Sequence, residues 1–391
     1  MASKYNFDEF IDRKGTDSIK YDAAKEFLGA TRDVIPMWVA DMDFRTPDFV
    51  VNSLKKRIDH EIYAYSIRSK NYYESIIGWL KRRHQWEVSK EAIVFSPGVV
   101  PAVNMAVLSY TQFGDRVITQ PPVYFPFFNA VKDHGRKLVY NPLILKNGRL
   151  NMDFENLEKV AKEGARMIII SSPHNPGGSV WTEEELRRLA EICLHNDILI
   201  LSDEIHCDLV FKPNKHFPLA SLSDEIADHC ITAIAPSKTF NLSGLSTASV
   251  IITNAELRNK FIATLDHLHI GMGNIAGNIA SQAAYTYGDE WVDELMIYLS
   301  ENLDILEDYL HKYIPRIKML RPEATFLVWL DCTELGMDDV TLNKFFLEKA
   351  RLGLNRGEMF GPGGSGFMRM NIGCTKATLN MALECLKEAF R

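Results

Sequence analysis

From about Asp48 to Ala248 the chain alternates short apolar, β-rich runs with helix-like stretches. That rhythm constrains the fold more than any other feature. It calls for parallel strands joined by crossover helices, so it predicts an α/β domain with a mostly parallel sheet flanked by helices. Ile93–Phe95, Val117–Thr119, Met167–Ser171, Ile198–Leu201, Cys230–Ala235 and Ser249–Thr253 read as strands. Thr182 and Glu185 form a capping-box pattern that opens a helix running to about His195. After Gly277 the texture changes. Ala280–Tyr313 reads as long helix broken near Gly288, followed by strands at Phe326–Leu330 and Phe367–Ile372 and helices at Leu342–Ala350 and Lys376–Phe390. These elements predict a smaller α+β domain over residues 281–391, after a large domain over residues 48–280.

Composition narrows the functional classes. With 391 residues, 46% of them hydrophobic, the chain can bury a large core without disulfide or metal staples. A net charge of -7 without a basic stripe argues against nucleic acid. No apolar run reaches membrane-spanning length, so no membrane partner is expected. Met1–Lys14 mixes charges and lacks the apolar core of a secretory signal. Six scattered cysteines with no Cys-x-x-Cys pair argue against a disulfide framework and a zinc site, and for a reducing cytoplasm. His267 and His269 have no carboxylate or cysteine cluster beside them, so no metal is expected there.

Three strand-like runs lead into polar motifs. They are Ser172-Pro173-His174-Asn175-Pro176-Gly177-Gly178, Ser202-Asp203-Glu204-Ile205-His206 and Ala235-Pro236-Ser237-Lys238-Thr239-Phe240-Asn241. An Asn, an Asp and a Lys are thus offered at the carboxyl ends of strands, where open α/β sheets bind ligands. Singly, each has a plainer reading: a turn residue before Pro176, a capping or turn Asp, a solvated Lys. Jointly they match the needs of pyridoxal phosphate. That cofactor requires an amine for its aldehyde, a carboxylate for its ring nitrogen and a donor for its ring oxygen.

With these motifs the chain resembles the fold-type I pyridoxal-phosphate enzymes, the aspartate aminotransferase superfamily. Within it the chain is most similar to the cystathionine β-lyase, or cysteine C–S lyase, branch. The resemblance runs from Trp38-Val39-Ala40-Asp41-Met42-Asp43-Phe44 to Arg369-Met370-Asn371 and rests on the order Tyr65, Gly98, Tyr124, Asn175, Asp203, Lys238, Arg369. It implies that residues 1–47 join the small domain as an arm. Lys238 then bonds the cofactor and moves protons, Asp203 keeps the ring nitrogen protonated, and Ser237 joins the cofactor site. Asn175 donates to the ring oxygen and touches the substrate carboxylate. His206 stands where transaminases often carry Tyr; a contact with the ring oxygen and a plain core role both stay open. Tyr124, grouped with Lys238 and Asp203 as catalytic, is expected to stack on one ring face, with Ile205 on the other. Gly98, Val99 and Val100 open a helix whose backbone amides would hold the phosphate. Tyr65 is expected to reach the phosphate of a neighbouring subunit, which implies a homodimer with shared sites. Arg369 would clamp the substrate α-carboxylate, with Trp38 and the backbone of Ala40 closing the substrate side.

The implied activity is β-elimination from cystathionine or another L-cysteine S-conjugate, giving thiol, pyruvate and ammonia. The competing enzyme is an aminotransferase. A binding protein without catalysis is disfavoured by the intact Lys238, Asp203 and Arg369. Two departures stand out. Ser246, eight residues after Lys238, replaces an Arg that grips the phosphate in aminotransferases of this fold, which favours the lyase branch. Ser179 replaces an Arg frequent after Asn-Pro-x-Gly. Gly361, Gly363 and Gly366 spell G-x-G-x-x-G, but they precede a strand-like run rather than open a helix, so they predict a flexible loop and not a dinucleotide site.

Overall fold

The computed structural model describes residues 4–391, so the first three residues of the expected arm lie outside it. Its centre is a seven-stranded sheet. In chain order the strands are β1 (Ile93–Ser96), β2 (Arg116–Thr119), β3 (Lys137–Tyr140), β4 (Ala165–Ser171), β5 (Leu199–Asp203), β6 (Cys230–Ile234) and β7 (Ala248–Ile251). In space the order is β1-β7-β6-β5-β4-β2-β3. Only β7 runs antiparallel to its neighbours. The expected mostly parallel sheet is therefore present.

Burial explains the apolar runs. Strands covered by helices on both faces need apolar residues on both. Along β4, Ile168 and Ile170 enter one core and Met167 and Ile169 the other. The edge strand β3 is only partly buried, and no strand was expected there. Thr182 caps the helix Glu183–His195 as expected: its Oγ1 accepts from the Glu185 N–H at 3.1 Å, and Glu185 Oε2 accepts from the Thr182 N–H at 2.8 Å.

A second, antiparallel sheet contains β8 (Lys318–Leu320), β9 (Leu327–Asp331), β10 (Asn355–Arg356) and β11 (Phe367–Asn371), in the order β8-β9-β11-β10. Position 280 falls inside the helix Ile275–Tyr287, which packs against Asp48–Ile58 and Lys70–His84. The chain leaves that cluster at Gly288 and enters the long helix Asp289–Tyr313, so the expected helix break is there. The expected helix over Leu342–Ala350 is instead Asp339–Lys344 followed by a π-turn, Phe345–Lys349. The glycine-rich segment before β11 opens no helix. It is packed rather than free: a Cβ on Gly361 would lie 2.9 Å from the Phe128 ring, and one on Gly363 3.3 Å from Pro122.

The cap is open to a direct test. Thr182→Ala is expected to cost about 1 kcal/mol of stability. The check is urea unfolding, with a lowered midpoint and an unchanged slope.

Candidate active site

Strands β4, β5 and β6 are adjacent and parallel. Their carboxyl ends therefore deliver Asn175, Asp203 and Lys238 to one edge of the sheet. There Gly98, Val99, Val100, Tyr124, Asn175, Asp203, Ile205, His206, Ser237, Lys238 and Ala40 line a hollow of about 230 Å³. Ser171, Ser243, Ser246, Thr247, Pro97 and Pro101 complete the wall.

Asp203 ends β5 with its side chain buried. One carboxylate oxygen accepts from the Ile205 N–H at 3.1 Å. Burial pushes its pKa up to about 7, against the pull of that bond and of Lys238. Lys238 stands on a single helical turn, Pro236–Thr239. Its Nζ donates to the Ala40 carbonyl at 2.6 Å. Burial pulls its pKa down to about 8, with Asp41 opposing and Arg369 adding to the fall. The site thus holds an amine that loses its proton easily and a carboxyl that takes one easily. Opposed shifts of this kind mark acid–base sites.

Gly98 caps the helix Val99–Tyr110 at φ 142°, a conformation that side-chain-bearing residues rarely adopt. The first turn of that helix lines the hollow, and helix starts suit anions. Tyr124 is tied to the Asn strand end, its N–H donating to the Asn175 carbonyl at 3.1 Å. His206 is buried and its pKa lies well below the usual value because of burial, so the ring is neutral. Its Nδ1 has no partner among the described residues.

Arg369 does not line the hollow; it stands one hydrogen bond behind the wall. From the middle of β11 its guanidinium donates to Asn175 Oδ1 at 3.0 Å, the Trp38 carbonyl at 2.9 Å and Asn355 Oδ1 at 2.6 Å. It also lies 5.0 Å from the Phe360 ring centre. Its Nε is buried with no partner among the described residues, and burial lowers its pKa to about 10. An unsatisfied donor of a buried cation is costly unless an acceptor arrives. A carboxylate is the natural one. Trp38 meets this group through its carbonyl, while its ring nitrogen is spent on the Lys20 carbonyl at 3.1 Å. Trp38 is not among the residues that line the hollow, whereas Ala40 is.

Tyr65 is not in the site of its own chain. It is 93% exposed on an irregular stretch with Ile62, Tyr63 and Ile67, also exposed.

The segment Trp38–Phe44 is held from every side. Asn371 Nδ2 donates to the Val39 and Asp41 carbonyls, each at 2.6 Å. Asn241 bonds the N–H of Met42 at 3.0 Å and its carbonyl at 2.8 Å. Arg13 pairs with Asp41 at 2.7 Å and Asp43 at 2.8 Å, and Lys20 with Asp43 at 3.0 Å.

A family model for class I and II aminotransferases matches residues 32–386. The chain belongs to that family. It is 44% identical to the cystathionine β-lyase PatB of Bacillus subtilis (strain 168), over 98% of this chain and 99% of the relative. It is 30% identical to the protein MalY of Escherichia coli (strain K12), over 99% of each. Cystalysin from Treponema denticola, whose structure contains pyridoxal 5'-phosphate, superposes with a TM-score of 0.96 at 35% identity, covering 99% of this chain and 98% of its own. A pyridoxal-phosphate-bound C–S lyase from Staphylococcus hominis gives 0.93 at 34%, covering 100% and 99%. Within the aminotransferase family the chain falls in the branch that holds these lyases.

The family's frequent arginines have local replacements. Ser246 sits on the wall in a left-handed conformation, φ 46°. Among the described residues of the wall there is no arginine. Ser179 is structural, its hydroxyl donating to the Leu150 carbonyl at 2.9 Å. Sequence reasoning missed Ser243 and Thr247, which lie in the same stretch as Lys238 and Ser246. It also missed Asn241, although the motif around Lys238 contains it. Among the described residues one cluster, His84, Cys207 and Asp208, has metal-ligand types within reach of one another. The Asp208 oxygens are already taken by Trp79, His84 and Thr239.

The residues fit the cofactor. A carboxyl with a raised pKa suits a ring N–H, a helix start suits the phosphate, and a depressed lysine suits the aldehyde. The same burial has a cost when no cofactor is bound. The folded-state pKa of Asp203, about 7, lies above the unfolded value of about 3.9. Its contribution to stability is therefore full below pH about 4 and lost as pH rises through about 7. Asp203→Asn is expected to raise the melting temperature of the cofactor-free protein at pH 8, by the equivalent of about 1–3 kcal/mol, and far less at pH 4.5. Equal shifts at both pH values would mean that the carboxylate is already satisfied.

Proposed function

We propose that this protein is a pyridoxal-phosphate-dependent C–S β-lyase. It would cleave an L-cysteine S-conjugate such as cystathionine, with water, to a thiol, pyruvate and ammonia. One observation carries the reading: an amine and a carboxyl converge on one hollow, with a buried guanidinium one hydrogen bond behind its wall, in a chain 44% identical to a cystathionine β-lyase.

When bound, pyridoxal phosphate supplies the aldehyde that takes the substrate amine and the ring that spreads the charge left on the α-carbon. The chain supplies the rest. Arg369, with Asn175, binds the α-carboxylate and orients the α-hydrogen. Lys238, its amine deprotonated near neutral pH by burial, removes that hydrogen. Asp203 holds the proton on the ring nitrogen. The Asn175 amide, whose oxygen is already spent on Arg369, keeps its N–H groups for the ring oxygen. Tyr124 and Ile205 bracket the ring. The helix start at Val99, with the hydroxyls of Ser237 and Ser246, receives the phosphate. The thiolate leaves from the β-carbon.

The reading divides the chain into a cofactor domain and a small domain built from the amino-terminal segment and the residues after Gly288, with the site at their seam. We place the enzyme in the cytoplasm, in keeping with six unpaired cysteines. An aminotransferase is the second reading, favoured by a similar solved structure, a pyridoxal-phosphate-bound putative aminotransferase from Clostridium difficile 630, TM-score 0.97 at 39% identity, covering 99% of this chain and 100% of its own.

The deciding assay uses purified enzyme and cystathionine without any keto acid. Stoichiometric thiol and pyruvate are expected, and Lys238→Ala should abolish both together with the borohydride-reducible bond to the cofactor. Turnover that requires an added keto acid would assign the enzyme to the aminotransferases. A retained reducible bond in Lys238→Ala would move the cofactor lysine elsewhere.

The exposed stretch around Tyr65 supports a homodimer in which Tyr65 serves the partner's phosphate. Co-refolding Lys238→Ala with Tyr65→Ala should then restore activity well above either parent, because each hybrid contains one intact site. Verified hybrids without that gain would confine each site to one chain.

A further inference from the structure

Behind the hollow lies a buried polar network that the reaction does not use. Glu204 and Thr239 each follow a proposed cofactor residue by one position, Asp203 and Lys238. Both turn inward. Glu204 Oε2 meets His216 Nε2 at 2.8 Å, while its Oε1 accepts from Ser202 Oγ at 2.8 Å and the Leu219 N–H at 3.1 Å. Thr239 Oγ1 donates to Asp208 Oδ2 at 2.8 Å. Asp208 Oδ1 accepts from Trp79 Nε1 at 2.9 Å and meets His84 Nε2 at 2.8 Å. The two imidazoles pack edge to face, 5.5 Å apart. Glu204, Asp208, His84, His216 and Thr239 are all buried.

Buried ionic networks are poor sources of stability, because desolvation consumes most of the attraction. Their attested value is to fix one arrangement among several. The element in need of fixing here is the turn Pro236–Thr239. A single helical turn does not hold itself. It is closed at its carboxyl end by the Phe240 N–H on the Pro236 carbonyl and the Leu242 N–H on the Ser237 carbonyl, both at 2.9 Å. Side chains supply the remaining restraint: Asn241 in front, on the Met42 and Phe44 backbone, and Thr239 behind, on Asp208. Asp208 is in turn immobilised by Trp79 and His84 from the helix Lys70–His84.

We infer that Asp208, acting through the Thr239 hydroxyl, is a positioning residue that sets where the Lys238 amine stands between Asp203, Asp41, Arg369 and the Ala40 carbonyl. The inference rests on the assignment of Lys238 as the cofactor lysine.

The test removes the link without touching the site. Thr239→Val keeps the shape and deletes the hydroxyl; Thr239→Ser restores it. Two quantities report on position rather than on folding. One is kcat per bound cofactor, set against KM for cystathionine. The other is the pH midpoint of pyridoxal phosphate uptake by the cofactor-free protein, which follows deprotonation of the Lys238 amine. Thr239→Val is expected to lower kcat about 10-fold at near-constant KM and to move the uptake midpoint by at least about half a pH unit, with Thr239→Ser within about twofold of wild type on kcat. Thr239→Ala is read the same way if the valine variant folds poorly. Wild-type kcat per bound cofactor and an unmoved midpoint, with only the melting temperature lowered, would reduce the network to a structural role. That result would leave the assignment of Lys238 intact, since the assignment stands or falls on Lys238→Ala.

Discussion

Everything at this site depends on burial of charge at the ends of two neighbouring strands, β5 and β6. An isolated carboxyl and an isolated amine are both destabilised in a low-dielectric interior. The fold tolerates them because the sheet is rigid and its strand ends are fixed by pairing on both sides. The pKa of Asp203 is pushed up and that of Lys238 down, so the two approach each other near neutrality. The chain thus stores at one sheet edge the imbalance that a protonated ring and an aldehyde relieve. Burial also leaves Arg369 with a donor that only an incoming acceptor can satisfy.

Much of the fold was legible because the sheet is parallel. Runs such as Met167–Ser171 must be apolar on both faces, and they announce themselves. The edge strand Lys137–Tyr140 has no such requirement and stayed silent. The helix break at Gly288 was visible as a glycine within a periodic pattern. The boundary expected near 280 falls inside the helix Ile275–Tyr287, whose apolar positions do not reveal which core they serve. That helix belongs with Asp48–Ile58 and Lys70–His84.

In the candidate site, residues carried by motif were legible: Lys238, Asp203, Asn175 and Gly98 stand where strand ends and a helix start put them. What the sequence could not convey were contacts between distant segments. The Arg13–Asp41–Asp43–Lys20 cluster joins side chains with no shared motif, and the Asp208–Thr239 bond crosses 31 positions. Nor does a one-dimensional pattern reveal that Arg369 lies behind Asn175 rather than on the wall, or that the Trp38 carbonyl accepts from Arg369. Such roles arise from packing order, not from residue type.

The segment Trp38–Phe44 has a geometric consequence. The Ala40 carbonyl receives the lysine amine and the Trp38 carbonyl receives the arginine. Two residues of backbone span at most about 7 Å. Under the roles proposed for Lys238 and Arg369, the chain carries a covalent gauge between the group that would handle the α-hydrogen and the group that would grip the carboxylate. Its length is set by bonds that cannot stretch, whatever the two sheets do around it. A substrate whose amine-bearing carbon is one or two methylenes further from its carboxylate would be out of register at one end or the other. Under the proposed roles, selection for α-amino acids would be measured off by the main chain itself.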